Sequence, residues 1–311
     1  MMRVVITEFM DEDALAGFGE GVDVIYDPTL VDNREALFAA LPGTHGLIVR
    51  NRTQVDRALL DAAPDLRVVG RLGVGLDNID MPACLARDVA VRPATGANTL
   101  SVAEYVITTA LSLLRGAYGS NAAMIAGDWP RNALIGGEAS GHVMGLVGYG
   151  GIARAVAERA RALGMTIAAY DPFLPAQDPA WKDAQRCTLD ELLGRADVVS
   201  LHVPLTDETR NLIDQKALSG MKARAVVINT ARGGVIDEAA LANALKAGQL
   251  GGAALDVFAT EPLTAEAGAV FDGVPNLILT PHIAGVTQEA NVRVSGITVK
   301  NVKEALIHAA V

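Results

Sequence analysis

An α/β architecture built from two doubly wound parallel-sheet domains is predicted by three features of the sequence. Short β-rich apolar runs alternate with segments of helical spacing from one end to the other. The runs are apolar throughout rather than alternating, as in strands covered by helices on both faces. The 311 residues, 50% apolar and 20% charged, exceed a typical single domain and can fill two cores.

RVVITEF, VDVIYD, GLIVR and LRVVGRL are the strand candidates of the N-terminal part, with helices expected at REALFAAL and TQVDRALLDAA. SVAEYVITTALSLLRGAYGSNAAMIAG, residues 101–127, has helical spacing and is apolar nearly all round from Val102 to Leu114. That predicts one long helix, buried on all sides at a junction between domains or subunits. A second strand series follows: HVMGLVGYG, MTIAAYDP, ADVVSLHVP, AVVINTARG, GAALDVFA and NLILTPHIA. Between these strands lie GIARAVAERARALG, TLDELLGRA, NLIDQKALSGM and DEAALANALKAGQ, all helical in pattern, and TQEANVRVSGITVKNVKEALIHAA closes the chain as another.

The formal net charge is −10 and no basic stripe interrupts it, which argues against a nucleic-acid partner. An anionic substrate would be weakly repelled overall, so its capture falls to local arginines. Cys84 and Cys187 have no CxxC neighbour, and the expectation is two reduced thiols and no metal. No apolar run approaches the ~20 residues of a membrane span, and acidic residues follow the start too closely for a signal peptide. A soluble, cytoplasmic protein without a membrane partner is expected.

GLVGYGGIARAVAERARALGMTIAAYDP carries Gly148-x-Gly150-x-x-Ala153 between an apolar strand and an amphipathic helix. Gly148 permits a tight turn, Gly150 lets a pyrophosphate approach the backbone, and Ala153 is small enough for helix–strand packing. The helix start then offers N–H groups and a positive dipole end to phosphates. Asp171 closes the next strand 23 residues beyond Gly148, suited to a ribose 2′-hydroxyl, and Pro172 and Phe173 follow it instead of an arginine. A Rossmann domain binding NAD in preference to NADP is predicted. Because this loop starts at 148, the strands before it belong to a second unit, and a ligand is expected in a cleft at the strands' carboxyl ends.

Arg232, Glu261 and His282 each follow a strand of the cofactor half and so share the ligand edge. Arg232 offers a planar fork to a substrate carboxylate. His282 is the natural proton donor and acceptor at neutral pH, and Glu261 would orient its ring. With hydride from a nicotinamide, these groups meet the needs of 2-oxo acid reduction.

In order, GRLGVGLDNID, NTLSVAEYV, GLVGYGGIA, LHVPLTDETRNLI, MKARAVVINTARGGVIDEAAL, ALDVFATEP and LTPHIAG resemble the signature segments of the D-isomer-specific 2-hydroxyacid dehydrogenases. This is the family of the D-type phosphoglycerate, glycerate and lactate dehydrogenases. The resemblance implies a flavodoxin-like substrate domain, residues 1–98 plus 286–311, into which an NAD-binding domain, 99–285, is inserted. It implies catalysis by Arg232, Glu261 and His282, and a substrate-carboxylate loop at Val74 and Gly75. Cofactor contacts are implied at Thr99, Gly148, Gly150, Gly151, Ile152, Asp171, Thr209, Thr230, Ala231, Asp256 and Gly285, with His202 and Pro204 on the adenosine side. A homodimer through the nucleotide domain and long helix is implied too. In VRNRTQV, Asn51 stands where the family often has serine, and this loop faces substrate in relatives, so Asn51 and Arg52 are candidate substrate contacts.

The expected reaction is NAD-linked interconversion of a small D-2-hydroxy acid and its 2-oxo acid. Arg52, Arg50 and Arg131 favour a three-carbon acid with a second anionic group, sulfolactate or 3-phosphoglycerate. The alternatives are a glyoxylate/hydroxypyruvate reductase and a NAD-sensing, non-catalytic corepressor-like protein. Relatives that oxidise formate carry glutamine at the position of Glu261, which argues against that activity.

Overall fold

The computed structural model describes residues 1–308, so alanines 309 and 310 of the closing helical pattern lie outside the described residues. The chain forms two compact units, one of residues 1–98 together with the segment from Val286 onward, the other Thr99–Gly285.

In the first unit β1 (Met2–Ile6), β2 (Val22–Tyr26), β3 (Gly46–Val49), β4 (Val68–Arg71) and β5 (Ala90–Pro93) form one sheet. Its order is β2-β1-β3-β4-β5, with every pairing parallel, the flavodoxin-like arrangement. The central β3 is buried at every residue, as its unbroken apolar run requires. Helices start at Asn33, Asp56 and Asp80, whose side chains accept from the amides of Ala36, Leu59 and Ala83. The closing helix, Gln288–His308, lies against β4, where a Cβ on Gly70 would come within 2.4 Å of Val302 and 2.9 Å of Thr298. β5 is absent from the strand candidates of the sequence. It is an edge strand with Arg92 exposed and Pro93 at its end, and lacks an apolar run.

The second unit holds β6 (Val143–Val147), β7 (Thr166–Tyr170), β8 (Gln185–Arg186), β9 (Val198–Leu201), β10 (Val226–Asn229), β11 (Gly252–Leu255) and β12 (Leu277–Leu279). Their order is β12-β11-β10-β9-β6-β7-β8, all parallel. β6 therefore stands where the winding reverses, the position at which doubly wound sheets bind ligands. Successive residues along these strands face opposite cores: Leu146, Val198 and Ile228 enter one, Val147, Val199 and Val227 the other.

The long apolar segment departs from expectation. Its helix spans Thr99–Arg115 and stops where Gly116 adopts φ 62°, and a short separate helix, Asn121–Ile125, follows. One face, including Val102, Val106, Ala110 and Leu113, is buried, while Leu100 and Leu111 remain exposed. Tyr118, Ile125, Trp129 and Ile135 beyond it are exposed as well. Among the described residues no helix is long and apolar enough to cross a membrane.

Candidate functional site

β10, β11 and β12 are parallel neighbours, so the segments after them leave the second unit's sheet at one edge. After β10 the buried Asn229 folds the chain back: its side chain accepts from the Ala231 amide at 3.0 Å and donates to the Arg232 carbonyl at 2.9 Å. Gly233 then lies flat against the segment after β11, where a Cβ would sit 1.7 Å from the Phe258 carbonyl oxygen. Arg232, half-buried, is thereby carried on a turn that abuts the loop leading to Glu261.

Glu261 accepts the Phe258 amide through Oε1 at 3.0 Å and meets His282 Nδ1 through Oε2 at 2.8 Å. His282 occupies the left-handed region, φ 54°, and its amide donates to the carbonyls of Asp256 and Thr280. With Nδ1–H donated to Glu261, Nε2 is the nitrogen left to exchange a proton with a ligand. Asp256, 1% exposed, braces the segment that follows, accepting the Ile283 amide on Oδ1 and the Ala284 amide on Oδ2, each at 2.8 Å. Glu238, which no motif reading singled out, clamps the same loop by accepting the Ala259 amide at 2.7 Å. Burial pushes its carboxyl pKa above the usual range; the Ala259 bond opposes this, while the Asp237 and Glu261 charges add to it.

At the β6 switch point Gly148 has φ 86°, and a Cβ there would lie 2.7 Å from the His202 carbonyl oxygen. Gly150 precedes the helix Gly151–Ala162, and apart from adjoining residues and the helix's own backbone nothing described comes within 4 Å of a Cβ on either glycine. The helix start is thus open to a ligand's phosphates. Asp171 accepts the Tyr149 amide on Oδ2 and the Phe173 and Leu174 amides on Oδ1, leaving Oδ2 with acceptor capacity for a ribose hydroxyl. A groove of about 510 Å³ opens beside it, bounded by Pro172, Arg186 and Thr188. Thr230 Oγ1, just past β10, is buried without a hydrogen-bond partner, a group a cofactor could satisfy. These residues fit a dinucleotide with an unphosphorylated ribose.

The other cofactor candidates take varied places. Thr99 begins the long helix, Ile152 lies half-buried in the glycine-loop helix, and Ala231 belongs to the Asn229 turn. Thr209 closes its own loop, donating to the Pro204 carbonyl and accepting the Thr206 amide. His202 pairs its Nε2 with Ser200 at 3.0 Å, and the protein around its ring lowers its pKa to about 4, so it is neutral near pH 7. Gly285 follows the segment braced by Asp256.

In the first unit the loop after β3 is organised by Glu8, which is 4% exposed. Its carboxylate accepts the amides of Arg50, Asn51, Arg52 and Thr53 at 2.8–3.3 Å. Nothing in the motifs signals this bond set; its partners lie 42–45 residues apart. Arg50 donates to the Phe9 carbonyl and to Asn291 Oδ1, while Arg52 pairs with Asp32 at the surface. Val74 is exposed and Gly75 half-buried in the loop after β4, and Arg131 is exposed in the second unit.

A family model for the NAD-binding domain of D-isomer specific 2-hydroxyacid dehydrogenases matches residues 107–284. The chain belongs to this family. It is 58% identical over 307 residues to the (S)-sulfolactate dehydrogenase of Chromohalobacter salexigens, covering 98% of this chain and 99% of that one. It is 39% identical over 305 residues to the D-3-phosphoglycerate dehydrogenase of Mycobacterium tuberculosis, covering 97% of this chain but only 56% of that longer protein. A crystal structure of a protein from Thermus thermophilus superposes with a TM-score of 0.87 at 34% identity, over 99% of this chain and 97% of that one. The protein is thus an NAD-dependent D-2-hydroxyacid dehydrogenase acting on a small hydroxy or oxo acid.

Proposed function

We propose that this enzyme interconverts 3-sulfolactate of D configuration and sulfopyruvate. The observation that carries the reading is the 58% identity to a sulfolactate dehydrogenase over 98% of this chain and 99% of the relative. The (S) label of that relative's substrate agrees with a D-specific family. In 3-sulfolactate the sulfonate-bearing carbon outranks the carboxyl carbon, because sulfur precedes oxygen, so the arrangement called D in lactate becomes (S).

In this reading Arg232 pairs with the substrate carboxylate through its planar fork, and Val74 and Gly75 keep the carboxylate role that the resemblance implies. His282 Nε2 takes the hydroxyl proton on oxidation and returns it on reduction, while Glu261 on Nδ1 stabilises the imidazolium that forms between. NAD, when bound, accepts the hydride from C2. Asn51, Arg50 and Arg52 serve the sulfonate. Because Glu8 consumes the loop amides, an anion at this loop is left to these side chains. Burial lowers the Arg50 pKa, opposed by the Glu8 charge, whereas hydrogen bonding to Asp32 raises that of Arg52.

The test is NADH consumption across sulfopyruvate, phosphohydroxypyruvate, hydroxypyruvate, glyoxylate and pyruvate. The expected result is a kcat/KM at least a hundredfold higher for sulfopyruvate, about 2.7 kcal/mol of transition-state binding. A flat profile would overturn the reading in favour of a glyoxylate/hydroxypyruvate reductase.

The exposed Tyr118, Ile125, Trp129 and Ile135 support a homodimer that covers them, and light scattering after gel filtration should give twice the chain mass. Cys84 and Cys187, buried and unbridged, support a cytoplasmic location, which cell fractionation would check.

A further inference from the structure

A chain of short hydrogen bonds links the long helix to the segment that carries His282. Tyr105, in the Thr99–Arg115 helix, contacts Thr280 Oγ1 at 2.6 Å, and Thr280 Oγ1 donates to Asp256 Oδ1 at 2.6 Å. An ionised carboxylate can only accept, so Thr280 spends its proton on Asp256 and its oxygen accepts from the Tyr105 hydroxyl. Burial pushes the Tyr105 pKa up, offset in part by the Thr280 bond, so the phenol keeps the proton it donates. Bonds that point one way along a chain polarise one another.

The far end of the chain is the carboxylate that receives the Ile283 and Ala284 amides. The His282 amide bonds the carbonyls of the same two residues, Asp256 and Thr280. His282 thus holds an unfavourable φ of 54° between the carbonyls of Asp256 and Thr280, which accept its amide, and the Asp256 carboxylate, which accepts the next two amides and the Thr280 hydroxyl.

We propose that Tyr105 is a positioning residue for His282, acting through Thr280 and the Asp256 carboxylate to fix the backbone on either side of the imidazole. This rests on the reading of His282 as the acid–base group. Tyr105 touches no reacting atom; its hydroxyl aims the carboxylate that holds the loop.

Tyr105→Phe keeps the ring and removes only the donor. Two readouts test the proposal: steady-state kinetics with the preferred 2-oxo acid, and amide hydrogen exchange of Ile283 and Ala284 in the protein without cofactor or substrate. The expected result is a roughly tenfold lower kcat with KM values for NADH and oxo acid within twofold, and exchange at both amides at least five times faster. Thr280→Val should reproduce both effects more strongly, and Thr280→Ser, which restores the hydroxyl, should reverse them. Unchanged kcat, or a lower kcat with unchanged exchange, would overturn the proposal, as would failure of Thr280→Ser to rescue. His282→Gln is the separate control: if it keeps full activity, the acid–base reading itself falls, and the positioning role with it.

Discussion

Gly233→Ala is the substitution for which the structure gives the firmest magnitude. The added Cβ would meet the Phe258 carbonyl oxygen at 1.7 Å, its carbon at 2.0 Å and the Ala259 amide nitrogen at 2.6 Å. All three are backbone atoms, so no side chain can swing aside. Restoring the 3.0 Å that real Cβ contacts keep requires the two segments to part by at least 1.3 Å. The Arg232 turn is on one side of that gap and the loop to Glu261 on the other. Overpacking of this kind costs about 1–3 kcal/mol of stability. A misplacement of about 1 Å in a positioning element costs on the order of a hundredfold in rate. The expected outcome is kcat/KM for the preferred oxo acid reduced about a hundredfold, with a lowered Tm. Kinetic constants within twofold of the parent at an unchanged Tm would refute the claim that these two segments are held in register by a glycine.

Gly150→Ala tests the cofactor loop in the opposite sense: with nothing but its chain neighbours within 4 Å and φ −76°, the methyl should leave Tm unchanged while raising the Kd for NADH at least tenfold. Arg50→Ala and Arg52→Ala should each raise KM for sulfopyruvate at least tenfold and leave pyruvate within twofold; equal effects on the two acids would remove both arginines from the proposed sulfonate site. His202, with its folded pKa lowered to about 4 from an ordinary 6.5, binds its proton more readily in the unfolded chain. Its contribution is complete above pH 6.5 and is lost as pH falls toward 4, about 2 kcal/mol between pH 7 and 5. Urea unfolding at those two pH values should show a smaller difference in His202→Asn than in the parent; an equal difference would assign the acid sensitivity elsewhere.

The parallel, doubly wound character was legible because β3, β9, β10 and β11 are buried at every residue and therefore read as mainly apolar runs, broken only by Ser200 in β9 and Asn229 at the end of β10. The edge strands were not: β8 is two exposed residues, and β5 mixes a cation and a proline into a half-buried strip. Arg232, Glu261 and His282 could be assigned to one edge because each follows a strand in a parallel sheet. The supporting contacts had no such signature. Glu8 reaches a loop 42 residues on, and Tyr105 meets Thr280 across 175 positions. Both arise from packing that no local pattern encodes. The extent of the long helix was overread: the apolar spacing runs on past residue 115, but the helix ends there and Gly116 turns the chain with φ 62°.

The Glu8 carboxylate has a consequence for how such a loop can change. Its hydrogen bonds go to backbone amides, which every residue except proline possesses, so these four bonds to residues 50–53 do not depend on which side chains are displayed there. Positions 50–52 are in effect a display mount fixed from behind. If the loop serves the sulfonate as proposed, a different acid is accommodated by exchanging what is displayed while the four bonds from Glu8 stay as they are.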